Sequence, residues 1–287
     1  MFADYHIHSA FSDDSTESMD DQVKRAISLG MDEICFTDHV DYGIKKDWHD
    51  PEGIQFRITY GHGMRMEQPL ANVDYPAYFE KIDLLREIYG EQVTIGKGLE
   101  FGMQLHTVPQ YQALYERYAD ELDFVLFSVH QVQNLEFWTQ DFQKGKSQKT
   151  YNDEYYHEIY NTMKLYKNYS VLAHLDLIVR YDLAGVYTFE KEKEIIAEIL
   201  RLAIVDGKGI ELNTSSWKYG LTDTQPSRAI LQLYKDLGGE IITIGSDAHD
   251  RKQVGDHYAE AMKILRDEIG FKAICTYRHM KPVFWDL

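Results

Sequence analysis

The sequence predicts an α/β fold, specifically a (β/α) barrel, on three observations. Short runs rich in Val, Ile, Leu and Phe recur along the 287 residues, and helical patterns separate them. At least six of these runs end in His, Asp or Glu, which suits a barrel whose strand ends form one functional face. The length also suits one barrel, which typically needs about 250 residues. We therefore expect a single domain over residues 1–287.

The first half of the chain alternates strands with helices whose ends and faces can be read from the sequence. Ser18 suits the N-cap of the first helix and Gly30 its stop. In the second helix, apolar residues repeat every three positions from Phe79 to Ile88, which predicts one buried face. The predicted order is strand 3–7, helix 18–29, strand 33–37, helix 75–89, strand 93–99, helix 109–121 and strand 124–129.

The second half continues the same alternation. Pro226 suits the first turn of a helix after a cap at Thr224 or Gln225, because an amide hydrogen at that position would have no helical partner. The predicted order is helix 151–166, strand 170–173, helix 190–205, strand 209–213, helix 226–237, strand 240–244 and helix 256–268. An apolar run at 272–276 is a candidate eighth strand.

Two long segments, 40–73 and 131–150, lack clear periodicity. The first contains four Gly and two Pro, and a loop of this length in a compact domain is more often a functional lid than a connection. Both segments follow strands that carry polar end residues, so we expect them to form the walls that select a substrate. Ordinary surface loops are the alternative interpretation.

Charge and composition exclude several classes of protein. Lys and Arg total 30 against 47 Asp and Glu, and the net charge of −17 argues against nucleic acid as a partner. No apolar stretch approaches the roughly 20 residues of a membrane span, and the N-terminus lacks a basic leader segment. We therefore expect a cytoplasmic protein in which Cys35 and Cys275 are buried free thiols.

Two strand ends carry polar pairs at positions i and i+2, which point to the same face of a strand. His6 and His8 form the first pair, and Asp247 and His249 form the second. A metal site is one interpretation of such histidines, and hydrogen-bonded structural histidines are the other. Glu100 ends the third strand and, beside several histidines, could bridge two metals. Imidazole and carboxylate together favour divalent first-row metals.

Other ligand candidates follow further strands. Asp38 and His39 are adjacent, so one is expected to face the site and the other to support it. Asp14 lies in a polar loop, where a turn carboxylate is the alternative. His130 and His174 each end an apolar run, where an isolated histidine would more often be a core residue.

Taken in order, these motifs resemble those of the PHP (polymerase and histidinol phosphatase) superfamily of metal-dependent phosphoesterases. The set comprises HxH at 6–8, TDH at 37–39, Glu100, SVH at 128–130, His174 and SDAH at 246–249. The likeness narrows to the stand-alone histidinol-phosphate phosphatase branch. The segments that carry it are TDHVDYG at 37–43, SVHQV at 128–132, AHLDLIVRY at 173–181, ELNTS at 211–215 and PSR at 226–228.

This resemblance implies a distorted (β/α)7 TIM-like barrel that holds three divalent metal ions, zinc, iron or manganese. The implied ligands are His6, His8, Glu100 and Asp247 for the first ion, Glu100, His130 and His174 for the second, and Asp14, His39 and His249 for the third. Some relatives carry His where this chain has Asp14, and a carboxylate is a harder ligand than imidazole.

The resemblance also implies hydrolysis of L-histidinol phosphate to L-histidinol and phosphate in L-histidine biosynthesis. Metals in such a site activate water for attack on phosphorus. Asp247 would orient the nucleophile or accept its proton. The candidates for assisting the leaving group are His39, Asp38, His249 and His62.

Three cations, Arg180, Lys218 and Arg228, are candidate phosphate contacts. Lys218 stands where relatives often carry Arg and would lack the bidentate geometry of a guanidinium. The alternative interpretation of Arg228 is that it only begins a helix. His62, in the 40–73 segment, is a further candidate for substrate binding. Two other functions stay open: a phosphoesterase of this family acting on another phosphomonoester or a nucleotide phosphodiester, and a non-catalytic metal-binding barrel.

Overall fold

The computed structural model describes the backbone of residues 1–50, 52–61 and 64–287, and within 55–70 the side chains of residues 55, 56, 58, 69 and 70. Seven strands pair in parallel and follow one another in chain order around the sheet. They are β1 (Ala3–Ile7), β2 (Glu33–Phe36), β3 (Thr94–Gly102), β4 (Phe124–Ser128), β5 (Val171–Leu172), β6 (Gly209–Asn213) and β7 (Ile242–Gly245). A further short strand, His39–Val40, pairs with β3.

The two edges of this sheet meet, so the predicted barrel is confirmed. A parallel bridge between Ile7 and Ala248 joins β1 to the chain just beyond β7. The barrel is also distorted. β5 contains two residues, and the register of β1 shifts between Asp4 and Ile7.

Eight helices flank the barrel within the described residues. They are α1 (Met19–Leu29), α2 (Tyr75–Tyr89), α3 (Val108–Tyr118), α4 (Gln148–Leu165), α5 (Phe189–Val205), α6 (Ser215–Lys218), α7 (Arg228–Asp236) and α8 (Tyr258–Lys263), which continues as π-helical turns over Ile264–Ile269. Short 3₁₀ turns occupy Leu105–Thr107, Leu177–Tyr181 and Arg251–Gln253. Ser18 caps α1 as predicted, and Gly30 ends that helix at a φ of 70°.

Two helix predictions need correction. The buried face of α2 includes Phe79, Ile82 and Leu85, but Ile88 is 53% exposed. A three-residue repeat drifts around a helix of 3.6 residues per turn, so nine residues reach the opposite side. Helix α7 begins at Arg228 rather than Pro226, because the preceding residue is still extended.

The two segments predicted to be irregular contain β-hairpins. Gln55–Gly61 and Met64–Leu70 pair as antiparallel strands within the first segment. Phe56 and Ile58 are exposed there, at 58% and 50%, so the short alternation of apolar and polar residues over 55–60 does not mark a strand of the core. In the second segment, a two-residue turn joins Gln131–Val132 to Leu135–Glu136. Its two central residues have φ values of 54° and 60°, as in tight hairpin turns.

The candidate eighth strand is not part of the barrel. Ala273–Arg278 pairs antiparallel with Lys281–Asp286, forming a C-terminal hairpin. Its Tyr277 packs against Tyr5 and Phe124, with ring centroids 6.4 and 5.0 Å away. The hairpin thus fills the end of the barrel opposite the predicted ligands.

Two predictions from composition can be compared with the fold. Both cysteines, Cys35 and Cys275, are buried free thiols as predicted. Across residues 1–50, 52–61 and 64–287, no helix is long and apolar enough to cross a membrane.

Candidate metal centre

The carboxyl ends of the strands bring the predicted ligands together at one end of the barrel. His6 lies in β1 and Glu100 in β3, whereas His130, His174 and Asp247 each follow their strand by two residues. His174 and Asp247 have φ values of 24° and 55°, which residues with a Cβ rarely adopt. Backbone strain of this kind is typical of functional sites.

Glu100 lies at the centre of the cluster and is fully buried. Its Oε1 is 3.2 Å from Nε2 of His130 and 2.9 Å from Nε2 of His174. Its Oε2 faces three other imidazole nitrogens at 3.0, 3.3 and 3.4 Å, those of His39, His6 and His8. Each oxygen of Glu100 therefore faces a different group of histidines.

The remaining two carboxylates face histidines as well. Oδ2 of Asp14 lies 2.9 Å from Nε2 of His249 and 3.3 Å from Nε2 of His39, so this residue is not merely a turn carboxylate. Oδ1 of Asp247 lies 3.5 Å from Nε2 of His8. The structure thus brings the members of each predicted ligand set together, and their division among individual ions stays a prediction.

Four buried polar atoms that face one another at the centre of this cluster make no hydrogen bond within the described part of the chain, and neither does Nδ1 of His174. Leaving such an atom unsatisfied costs about 1–3 kcal/mol, so four in one place indicate a missing partner. A divalent cation accepts imidazole nitrogens and carboxylate oxygens together. Candidate ligand atoms lie within 4.8 Å of one another in four overlapping groups, so the residues fit a multi-metal centre. The four atoms are Nε2 of His6, Nε2 of His8, Nδ1 of His39 and Oε2 of Glu100.

Opposite charges across the cluster shift its pKa values strongly. Burial disfavours the charged imidazole, but Asp14 and Glu100 raise the pKa of His39 well above its ordinary value. Against the same effect of burial, Glu100 and Asp41 raise the pKa of His130 to about 9. Burial would raise the pKa of Glu100, yet the surrounding histidines lower it well below its usual range. Protons and metal ions therefore compete for the same nitrogens.

Asp38 faces away from the cluster. Its carboxylate accepts hydrogen bonds of 2.7 Å from the Ser9 amide and from the Ser12 hydroxyl, and burial raises its pKa to about 6. The Ser12 oxygen in turn accepts the His39 amide at 3.0 Å. As expected for adjacent residues, only His39 lines the pocket. Asp38 was predicted to be a candidate catalytic residue. Its contacts with Ser9 and Ser12 indicate instead that it supports the turn that positions His39.

The pocket is lined by one of the three candidate phosphate contacts, Arg180. Arg228 instead pairs with Asp223 and Glu268 at the start of α7. Lys218 is exposed and does not line the pocket. Neither residue lines the pocket, because the fold sets the partners that hold each cation, and their contact with phosphate stays a prediction.

Arg180 is held in one orientation by four neighbours. Its Nη2 donates to the Ser215 hydroxyl at 2.7 Å and to Oε1 of Gln225 at 2.8 Å. The guanidinium lies over the Tyr219 ring, 4.1 Å from the centroid. Its Nη1 lies 3.3 Å from Oδ2 of Asp247, so the charge faces the metal cluster.

A cavity of about 210 Å³ opens onto this cluster. From the segment 131–150, Glu136 and Trp138 line it, which confirms that this segment contributes a wall. From the segment 40–73, Asp41 and Lys45 line it among the side chains that the structure describes. His62 lies outside the described residues.

The sequence analysis did not identify two carboxylates that contact Nδ1 of candidate ligand histidines. Glu211 lies 2.7 Å from Nδ1 of His6, and Asp41 lies 2.8 Å from Nδ1 of His130. A signal for Asp41 was present, because it follows His39 by two residues and shares its face. Glu211 lies in a strand whose run ends in polar residues, but none of them was a histidine.

Comparisons with known proteins agree with this site. A family model of the PHP domain matches residues 4–215. The chain is 30% identical over 286 residues to the histidinol-phosphatase of Lactococcus lactis, covering 97% of this chain and 95% of the relative. It is 25% identical to a protein of Thermotoga maritima named "Probable histidinol-phosphatase", covering 92% of this chain and 91% of the relative.

A solved structure is similar to this chain over nearly its whole length. The crystal structure of histidinol phosphate phosphatase from Lactococcus lactis, complexed with zinc, L-histidinol and phosphate, superposes with a TM-score of 0.80. The two are 29% identical, and the match covers 98% of both chains. The chain therefore belongs to the PHP family. Within that family, its near full-length likeness to these relatives places it in the histidinol-phosphatase branch.

Proposed function

We propose that this protein is a metal-dependent phosphomonoesterase that hydrolyses L-histidinol phosphate to L-histidinol and phosphate in L-histidine biosynthesis. The proposal rests mainly on the position of Glu100. Its two oxygens face two groups of imidazoles, and the pocket around them also contains Arg180. The Lactococcus relative, which holds zinc, L-histidinol and phosphate in its crystal structure, supports the choice of substrate.

The cluster is proposed to hold three divalent ions, for which zinc is the first candidate. Such ions supply an activated water and stabilise the phosphate oxygens as Lewis acids. Divided as the family resemblance implies, the proposed ligands are His6, His8, Glu100 and Asp247 for one ion, Glu100, His130 and His174 for another, and Asp14, His39 and His249 for the third.

Arg180 and Asp247 are proposed to position the reacting groups. A guanidinium fixed by Ser215 and Gln225 can donate to a phosphate without further ordering, which lowers the entropy cost of binding. Burial would raise the pKa of Asp247, but neighbouring cations lower it well below its usual range, so this carboxylate stays ionised and can orient a water. His39 and His249 remain candidates for assisting the leaving group, since both line the pocket.

The remaining walls suit the amino-alcohol part of the substrate. Glu136 supplies a carboxylate that would attract the ammonium group. Trp138 and Tyr181 line the same cavity and supply aromatic faces for an imidazole ring. We also propose that residues 1–287 form one domain, that the protein is cytoplasmic, and that nucleic acid is not a partner, given a net charge of −17.

The test is phosphate release by metal-reconstituted protein from a substrate panel. The panel contains L-histidinol phosphate, several other phosphomonoesters and a nucleotide phosphodiester. We expect the highest kcat/KM for L-histidinol phosphate. Faster turnover of another ester would identify a phosphoesterase of different specificity, and stoichiometric metal without any turnover would identify a non-catalytic barrel.

A further inference from the structure

The carboxylate of Glu211 connects two candidate ligands. It is fully buried, and its Oε1 lies 2.7 Å from Nδ1 of His6. Because a carboxylate oxygen accepts, Nδ1 donates, and in the neutral imidazole that binds a metal Nε2 carries the lone pair, facing Glu100 at 3.3 Å. The other oxygen accepts the backbone amide of His174 at 2.9 Å and the Asn213 side chain at 3.1 Å.

Asp41 repeats this arrangement on the other side of the cluster. Its Oδ1 lies 2.8 Å from Nδ1 of His130, whose Nε2 faces Glu100 at 3.2 Å. Its Oδ2 lies 3.0 Å from Nζ of Lys45, which also pairs with Asp13. The carboxylate is therefore itself held in place by a buried ammonium.

Each of these carboxylate–imidazole pairs lies against a glycine that ends a barrel strand. A Cβ on Gly245, the last residue of β7, would lie 2.2 Å from Oε1 of Glu211 and 2.4 Å from Cβ of His6. A Cβ on Gly102, the last residue of β3, would lie 1.8 Å from Oδ1 of Asp41. Neither glycine needs a left-handed backbone, so the requirement at both positions is space.

We propose that Glu211 and Asp41 are positioning residues that fix the imidazoles of His6 and His130 for metal binding, and that Gly245 and Gly102 are required because they leave room for these carboxylates. The inference rests on the proposed metal centre but not on the identity of the substrate. A partner of this kind sets the tautomer and orientation of a ligand histidine, and its loss typically weakens metal affinity about 10–100-fold.

The test measures zinc affinity of the full chain by chelator competition, which needs no turnover. Glu211→Gln is the first variant, because glutamine keeps the volume but offers one acceptor oxygen where the carboxylate uses two. Asp41→Asn probes His130 in the same way. The matched control is Glu33→Gln, which removes a buried carboxylate from Tyr5 and Arg278 at the other end of the barrel. We expect about 10–100-fold weaker zinc binding in the first two variants and unchanged binding in the control.

The glycines give a second, independent measurement. Gly102→Ala is expected to weaken zinc binding. The control is Gly96→Ala in the same strand, where a Cβ would meet Sγ of Cys35 at 2.9 Å, and it is expected to lower only the Tm of the metal-free protein.

The outcomes separate the two proposals. Wild-type zinc affinity in Glu211→Gln and Asp41→Asn would overturn the positioning role, as would equal losses in these variants and Glu33→Gln. Weakened zinc binding together with no hydrolysis of L-histidinol phosphate by the wild type would support the positioning role and refute the proposed function.

Discussion

Arg180 and Asp247 form an ion pair of 3.3 Å at the boundary between the candidate metal centre and the substrate pocket. Oδ2 of Asp247 faces the guanidinium, whereas Oδ1 faces Nε2 of His8 at 3.5 Å. Both residues line the same cavity. A phosphate in that cavity would meet a fixed guanidinium on one side and the metal ligands on the other.

Arg180→Ala is expected to weaken phosphate binding without emptying the metal centre. A hydrogen bond to a charged group contributes about 1.5–3 kcal/mol, which corresponds to a fall of roughly ten- to a hundredfold in kcat/KM. Steady-state kinetics on L-histidinol phosphate and elemental analysis of the same sample check both parts. The matched control is Arg228→Ala, which removes a guanidinium outside the pocket and should keep wild-type kinetics. Unchanged kinetics in Arg180→Ala would assign that residue a structural role.

Glu100→Ala is expected to lower metal content at more than one position. The reason is geometric, since Oε1 faces His130 and His174 while Oε2 faces His6 and its neighbours. His174→Ala removes one ligand at the edge and should lower occupancy mainly at one position. Metal ions per chain, counted by elemental analysis after identical reconstitution, distinguish the two variants. Equal losses of a single ion would argue against a bridging carboxylate.

The positions of these ligands could be predicted because barrel geometry is encoded locally. Each strand is a short apolar run, and the residue that ends it must lie on the common face. For that reason the convergence of residues as distant as His6, Glu100 and Asp247 follows from the strand order alone. The resemblance to a known family then supplied the grouping of the ligands, which strand order does not determine.

Other features could not be predicted because they depend on partners far away in the chain. Arg228 lies outside the pocket because Glu268, forty residues later, pairs with it. The role of Glu211 depends on its meeting His6, 205 positions earlier. The hairpin of Gln55–Gly61 and Met64–Leu70 was missed for a different reason. Phe56, Ile58 and Tyr60 alternate with polar residues, but so short an alternation does not stand out in a segment with four Gly and two Pro.

Metal removal is expected to abolish activity and to lower thermal stability. A ligand that binds the folded state stabilises it by about 2.7 kcal/mol at a free concentration one hundred times its Kd. This gain vanishes when the ions are removed, and the buried ligand atoms of the cluster that lack hydrogen bonds in the described part of the chain are then left without partners. Thermal unfolding before and after treatment with a strong chelator, with zinc added back, measures the change. Full turnover in chelator by protein without bound metal would contradict a catalytic metal centre.

Trp138→Ala is expected to reduce preference for an imidazole-bearing substrate. Trp138 is 44% exposed and lies 6.4 Å from the Tyr181 ring, and both line the cavity. Loss of one aromatic contact costs about 0.5–1.5 kcal/mol, which raises KM for L-histidinol phosphate roughly two- to tenfold. Turnover of phosphoethanolamine, which has an ammonium group but no ring, should change less. The control is Trp285→Ala, a comparably exposed tryptophan (37%) in the C-terminal hairpin, which should leave both substrates unaffected. An equal loss of activity toward both substrates in Trp138→Ala would show that this side chain supports the pocket but does not contact the imidazole ring of the substrate.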